Sequence, residues 1–330
     1  MPVVRQRTRV RGRRAPSVVT GETSEPRIAV LPRSDEGIVA AVVDGGGGLA
    51  DAAHADGIVW IDPGDPEGLR RALAGSPARW VQLPSAGIEP FVAAGVIDER
   101  RQWTCAKGTF GHACAEHALG FMIMAARRMH EHARARSWHG EGEHSRERRL
   151  HGCTVVVVGT GGIGAPLPGM LAPLGARVVG VNRSGRQLDG AVRTVTWDRL
   201  AEVLPDADFV VLAAAYTPET KGLFDAHMLS LMRPDAWLIN VARGGLVDTD
   251  ALVDALRRKA LGGAALDVTD PEPLPDGHPL WSLDDVVITP HVANTWVMGL
   301  PELRARITRN VRKFATGEPL EGPVDPALGY

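Results

Sequence analysis

Cysteine is scarce in this 330-residue chain. Only Cys105, Cys114 and Cys153 occur, and no two stand in CxxC spacing. That argues against a disulfide framework and against a structural zinc site. No apolar run approaches the roughly 18 residues that cross a bilayer, and the first residues lack the apolar stretch of a secretory leader. Net charge is nearly absent, −2 at neutral pH, so the chain as a whole lacks the footprint of a nucleic-acid binder. The remaining expectation is a reduced, cytoplasmic globular protein, long enough for two domains with cores of their own.

Charge is unbalanced in one place. Residues 1–20 hold Arg5, Arg7, Arg9, Arg11, Arg13 and Arg14 and no acidic residue. Nothing there can bury a core, so residues 1–26 read as a disordered basic arm without a partner; an anionic-surface arm is the alternative. From Arg27 the pattern turns globular. Short apolar runs at 27–31, 38–43, 57–61 and 79–83 alternate with turns or helical stretches, predicting a small α/β layer with parallel strands. Residues 62–77 predict a capped surface helix. Residues 113–138 predict one long helix, apolar on nearly every face in its first half and basic in its second, and therefore buried, with a subunit contact favoured. The charged stretch 141–151 reads as a surface connection.

A second alternation follows. Apolar runs at 153–159, 176–181, 208–215, 236–242, 262–268 and 285–290 show no period-2 polarity. Strands covered on both faces look like this. Six of them predict a doubly wound, Rossmann-type parallel sheet beside a smaller flavodoxin-like α/β domain. The first strand runs into "VVVVGTGGIG", which sets Gly159, Gly161 and Gly164 in G-x-G-x-x-G spacing around Gly162 and Ile163. Between a strand and a helix, that spacing marks a pyrophosphate site: one glycine for the tight turn, one for close approach, one for packing. Pro166 and Pro168 fall where the helix should begin, and Pro168 threatens to distort its first turn.

The next strand ends in "VNRSGR". An acidic residue is expected there, to bond the adenosine ribose. Asn182, Arg183 and Ser184 stand instead. Asn182 does not repel a 2′-phosphate and Arg183 can pair with one, so NADP(H) is expected in preference to NAD(H). Three more strand ends carry "NVARGGLVD", "LDVTDPEPLP" and "ITPHVANT". They offer Arg243, Glu272 and His291 to one crevice at the carboxyl edge of the sheet. Reduction of a 2-keto acid uses these types: a histidine to move the proton, a carboxylate beside it, and an arginine for the substrate carboxylate.

In these motifs, in this order, the chain resembles the D-isomer-specific 2-hydroxyacid dehydrogenases over residues 27–330. The resemblance implies His291 as acid/base, Glu272 as its partner and Arg243 as the substrate-binding cation. It places Asp267 near the nicotinamide amide, and Thr217 and Ala242 beside the cofactor. It assigns "QLPSAGIEP" as the substrate loop, with Ser85, Ala86 and Gly87 as backbone donors. It implies a discontinuous substrate domain, 27–110 and 293–330, around a cofactor domain, 111–292, in a homodimer, with a C-terminal helix over 300–320 returning to the first domain. Glyoxylate, hydroxypyruvate or a related acid is the expected substrate. A nucleotide-sensing corepressor-like protein on the same scaffold is the alternative. The chain departs from the family at Ala215–Tyr216, before "TPET", and in adding Lys107 and His112.

Overall fold

The computed structural model describes residues 25–138 and 146–325. Most of the basic arm, and part of the 141–151 connection, lie outside the described residues. Two parallel sheets make up the architecture. The first contains β1 (Arg27–Leu31), β2 (Gly48–Leu49), β3 (Gly57–Trp60), β4 (Trp80–Gln82) and β5 (Gln102–Thr104), in the order β2-β1-β3-β4-β5. The second contains β6 (Thr154–Val158), β7 (Arg177–Asn182), β8 (Arg193–Thr196), β9 (Phe209–Leu212), β10 (Trp237–Asn240), β11 (Gly263–Leu266) and β12 (Val286–Ile288), in the order β12-β11-β10-β9-β6-β7-β8. The first order is flavodoxin-like. The second is doubly wound, and its direction reverses between β6 and β9, where such sheets bind ligands.

The apolar runs of the second sheet are strands for the expected reason. All five residues of β6 and all four of β9, β10 and β11 are buried. One cluster around Val156, Val210 and Leu238 fills one face, and one around Val155, Phe209 and Ile239 fills the other. The sheet has a seventh strand that the apolar runs did not reveal. In β8 only Val195 is buried, because the strand is an edge with one covered face.

Three expectations need correction. Residues 38–43 are not a strand: Glu36–Asp44 is a helix, capped by Asp35, whose side chain accepts from the Ile38 N–H. Ile38, Ala41 and Val42 are its buried face, a helical spacing that the unbroken apolar run concealed. The long helix over 113–138 is two helices, Gly111–Ala126 and Met129–Arg134, broken at Arg128 with φ 49°. Arg128 is buried and donates to Asp285 at 3.0 Å and to Glu131; a buried guanidinium held by two carboxylates fixes the break. The first of these helices packs on the second sheet through Ala118, Phe121, Met122 and Ala125. Finally, the C-terminal helix is Trp296–Thr316, starting four residues early because Thr295 caps it and ending where Gly317 turns left-handed.

That helix lies on the first sheet, as the family resemblance implied. Thr308 donates to the Ala41 carbonyl, and buried Asn310 donates to Gln82 Oε1 at 2.9 Å. The chain thus crosses between the sheets twice, at residues 105–110 and 289–295. Both crossings border the crevice at the carboxyl ends of the strands.

Candidate active site

The glycine loop leaves β6 at Gly159, whose φ of +99° no other residue type adopts readily. A Cβ on Gly159 would press on Ala213 and Ala214, at the end of β9. Gly164 sits against the Gly159 carbonyl, and Gly162 against Gly108 and the start of the helix at Gly111. Gly161 alone among the loop's fingerprint glycines faces open space. A diphosphate therefore fits here: the bare Cα at Gly161 leaves room for the close approach the fingerprint implies. The helix after the loop is only Leu167–Leu171, followed by a 3-10 turn over Ala172–Leu174. Pro166, Pro168 and Pro173 each remove a backbone donor, so the regular helix expected from Gly164 onward begins late and stays short.

At the end of β7, Asn182 donates to the Thr160 hydroxyl at 2.9 Å and to the Arg186 carbonyl at 2.8 Å. Ser184 accepts from the Arg186 N–H, and Gly185 takes φ +68°. The stretch is a closed turn that ties itself to the glycine loop. Arg183 pairs with Glu219 at 3.2 Å, both exposed. Thr217 is buried, with its N–H donating to the Thr220 hydroxyl at 2.8 Å. Tyr216 packs against Gly245.

The carboxyl ends of β10, β11 and β12, neighbours in the sheet, carry Arg243, Glu272 and His291. His291 Nδ1 is 2.6 Å from Glu272 Oε1. The histidine adopts φ 53°, unfavourable for a side chain of its size. Asp267 holds it there. This carboxylate is 2% exposed and accepts from the Val292 and Ala293 N–H groups at 2.9 Å each, and from the Thr289 hydroxyl at 2.5 Å. The His291 N–H donates to the Asp267 carbonyl at 2.8 Å. His117, on the helix below, stands 3.0 Å from the Thr289 hydroxyl. Both Asp267 oxygens thus hold the turn that carries His291. His117 and Thr289 went unnoticed in the sequence, since neither stands in a recognisable spacing with Asp267.

Arg243 donates through Nε to Glu89 at 3.0 Å and through Nη1 to the Ala242 carbonyl at 2.7 Å. Its loop packs on the Glu272 loop at Gly244, where a Cβ would strike the Thr269 carbonyl. Gly87 lies against Arg243 Nη2. Ser85 donates to the Gly87 carbonyl at 2.5 Å, while the N–H groups of Ser85, Ala86 and Gly87 donate to nothing among the described residues. Cys114 lies close enough to feel the charges of both Asp267 and Arg243, and burial, reinforced by Asp267, pushes its thiol up to about 11. Arg243 thus lies against the free N–H loop, and the Glu272–His291 pair stands at the ends of the neighbouring strands.

A doubly wound sheet with a glycine-rich first turn and a histidine–carboxylate pair at its carboxyl edge is the architecture of a dinucleotide-dependent dehydrogenase. Residues 119–293 match the family described as D-isomer specific 2-hydroxyacid dehydrogenase, NAD binding domain. The chain is 40% identical over 301 residues to an uncharacterized protein in the proB 3′ region of Corynebacterium melassecola, covering 88% of this chain and 95% of that one. It is 30% identical over 296 residues to glyoxylate/hydroxypyruvate reductase A of Photorhabdus laumondii, covering 85% and 89%. Its structure superposes with a TM-score of 0.80, at 28% identity and over 93% and 100% of the two chains, on a D-isomer specific 2-hydroxyacid dehydrogenase from Xanthobacter autotrophicus in complex with NADPH and MES. The chain belongs to the D-isomer specific 2-hydroxyacid dehydrogenase family. Among the described residues, no helix is long and apolar enough to cross a membrane.

Proposed function

We propose that this chain transfers a hydride between NADP(H) and a small 2-keto acid or D-2-hydroxy acid, glyoxylate, hydroxypyruvate or a close relative. The observation that carries the reading is the 2.6 Å His291–Glu272 pair on the strand ends next to Arg243. A bound nicotinamide would supply the hydride. Arg243 and the free N–H groups of Ser85, Ala86 and Gly87 bind the substrate carboxylate and turn the carbonyl toward the crevice. His291 gives its Nε2 proton to the carbonyl oxygen as hydride arrives at carbon, and Glu272 stabilises the doubly protonated ring at Nδ1. In the oxidative direction the same nitrogen takes the hydroxyl proton.

The phosphorylated cofactor is favoured by the absence of an acidic residue at Asn182 and by Arg183 beside it. Glu219 pairs with Arg183 at the exposed surface, an interaction worth little in water; a 2′-phosphate, with two charges, competes well with it. The division into 27–110 with 293–330 against 111–292 accompanies this reading and is supported by the two sheets and the return of the C-terminal helix. Family resemblance supports a homodimer, and the scarcity of cysteine a cytoplasmic setting.

The test is NADPH oxidation with a panel of 2-keto acids, run again with NADH and with His291→Ala. Turnover that favours NADPH and vanishes in the variant supports the proposal. Tight NADP(H) binding without turnover of any acid would sink it and leave a nucleotide-sensing protein.

A further inference from the structure

Glu89 is a charged residue in the substrate crevice that the proton and carboxylate chemistry above does not use. It opens the short helix Glu89–Ala93, two residues beyond Gly87. Its Oε1 accepts from Arg243 Nε at 3.0 Å, with the two side chains 35% and 34% exposed. A Cβ on Gly87 would collide with Arg243 Nη2 and stand 2.6 Å from Glu89 Oε2. The Glu89 carboxylate, the guanidinium and the free N–H loop therefore share one small space. Nε is taken by Glu89 and Nη1 by the Ala242 carbonyl, so Nη2, next to Gly87, is the end of the fork left for a substrate.

We propose that Glu89 is a specificity-determining residue that sets the charge class of the substrate: 2-keto acids whose only negative charge is the reacting carboxylate are accepted, and those with a second anionic group are rejected. The inference rests on the 2-keto acid reading above and narrows it. Arg243 and Glu89 together are neutral. The loop N–H groups attract one carboxylate without adding net charge. A monoanionic acid finds Nη2 and the loop, and its side chain can meet a carboxylate that accepts hydrogen bonds from a hydroxyl or ammonium group. A dicarboxylate or phosphorylated keto acid instead brings a second anion beside Glu89, in a crevice where solvent screens only part of the repulsion. Discrimination by built-in repulsion leaves the reacting end of the substrate unaltered.

Two measurements on the full chain test this. In the first, kcat/KM with NADPH is compared for glyoxylate and hydroxypyruvate against oxaloacetate and 3-phosphohydroxypyruvate. The expectation is a preference of about 100-fold or more for the monoanions, reduced at least about tenfold in Glu89→Gln through KM and retained in Glu89→Asp, since each tenfold step is one removed charge contact. In the second, calorimetry on NADPH-loaded protein compares oxamate, a monoanion, with oxalate, a dianion of similar shape. Wild type binds oxamate more tightly, and Glu89→Gln narrows the gap. An unchanged preference in Glu89→Gln overturns the proposal. So does an equal loss on every acid, which would make Glu89 only a prop for Arg243. Absent turnover, with an oxamate preference that depends on Glu89, would instead overturn the 2-keto acid reading and leave the charge selection standing.

Discussion

Asp267 fixes His291 through the backbone beyond it: both carboxylate oxygens accept from N–H groups of the turn, at Val292 and Ala293. Asn in its place keeps one acceptor and presents an amide donor to another donor. Asp267→Asn is therefore expected to lower stability by about 1–3 kcal/mol, the cost of leaving buried groups unpaired. Turnover should fall more than about tenfold as His291 loses its aim. Thr289→Val removes the hydroxyl's contacts with Asp267 and His117 but leaves both turn N–H groups paired with Asp267, and should cost less on both counts. Thermal unfolding and kcat measured on the same preparations check the pair. A stable, fully active Asp267→Asn would show that the turn holds itself.

The 2.6 Å contact between His291 and Glu272 separates two effects. His291→Ala removes the proton donor and should lower kcat by about 10²–10⁴-fold. Glu272→Gln leaves the proton donor but removes the stabilising charge, so a smaller loss is expected. Neither residue contacts the glycine loop in the structure, so NADPH affinity, read by fluorescence titration, should hold in both. Lost cofactor binding would show that the defect lies in folding.

For cofactor choice the informative residue is Arg183. Arg183→Ala should lower kcat/KM for NADPH by about tenfold or more, the range of a charge-assisted contact with phosphate, while leaving NADH nearly unaffected. Glu219→Gln removes one exposed competitor and should improve NADPH use slightly. Equal losses with both cofactors in Arg183→Ala would refute the assignment.

His130 makes stability depend on pH. Burial, aided by the charge of Arg128, pulls its pKa from 6.5 to about 4. The neutral ring lies edge-on to Trp237, 5.2 Å away, and neither nitrogen has a hydrogen-bond partner among the described residues. The unfolded chain binds this proton more readily than the folded one. Stability from this group is therefore complete above pH 6.5 and declines as pH falls toward about 4, at no more than about 1.4 kcal/mol per pH unit. His130→Leu should flatten that limb of the melting-temperature profile between pH 6.5 and 4. An equally steep limb in the variant would place the acid sensitivity elsewhere.

The sequence was most legible where one residue type has one use. Gly159 with its left-handed turn, Gly161 facing open space and the buried runs of β6, β9, β10 and β11 could be read directly, because backbone geometry and two-sided burial leave few alternatives. Arg243, Glu272 and His291 were legible as ends of adjacent strands. Residues 38–43 misled because Ile, Val and Ala fill a helix face as readily as a strand. The break at Arg128 depends on Asp285, 157 residues away, and the Glu89–Arg243 pair on a partner 154 residues away. Such contacts leave no local period to detect.

Gly162 rests on Gly108, 2.8 Å from where its Cβ would be, and beside Gly111. The loop that would cradle a dinucleotide thus leans on one of the two strands of chain joining the sheets. Loading that loop is expected to press on the joint and so to set the width of the cleft on its far side. The two ligands should consequently enter in compulsory sequence, nucleotide before acid. Initial-rate patterns with a dead-end acid analogue would show it as uncompetitive against NADPH, whereas a noncompetitive pattern, the mark of random entry, would mean the joint moves freely.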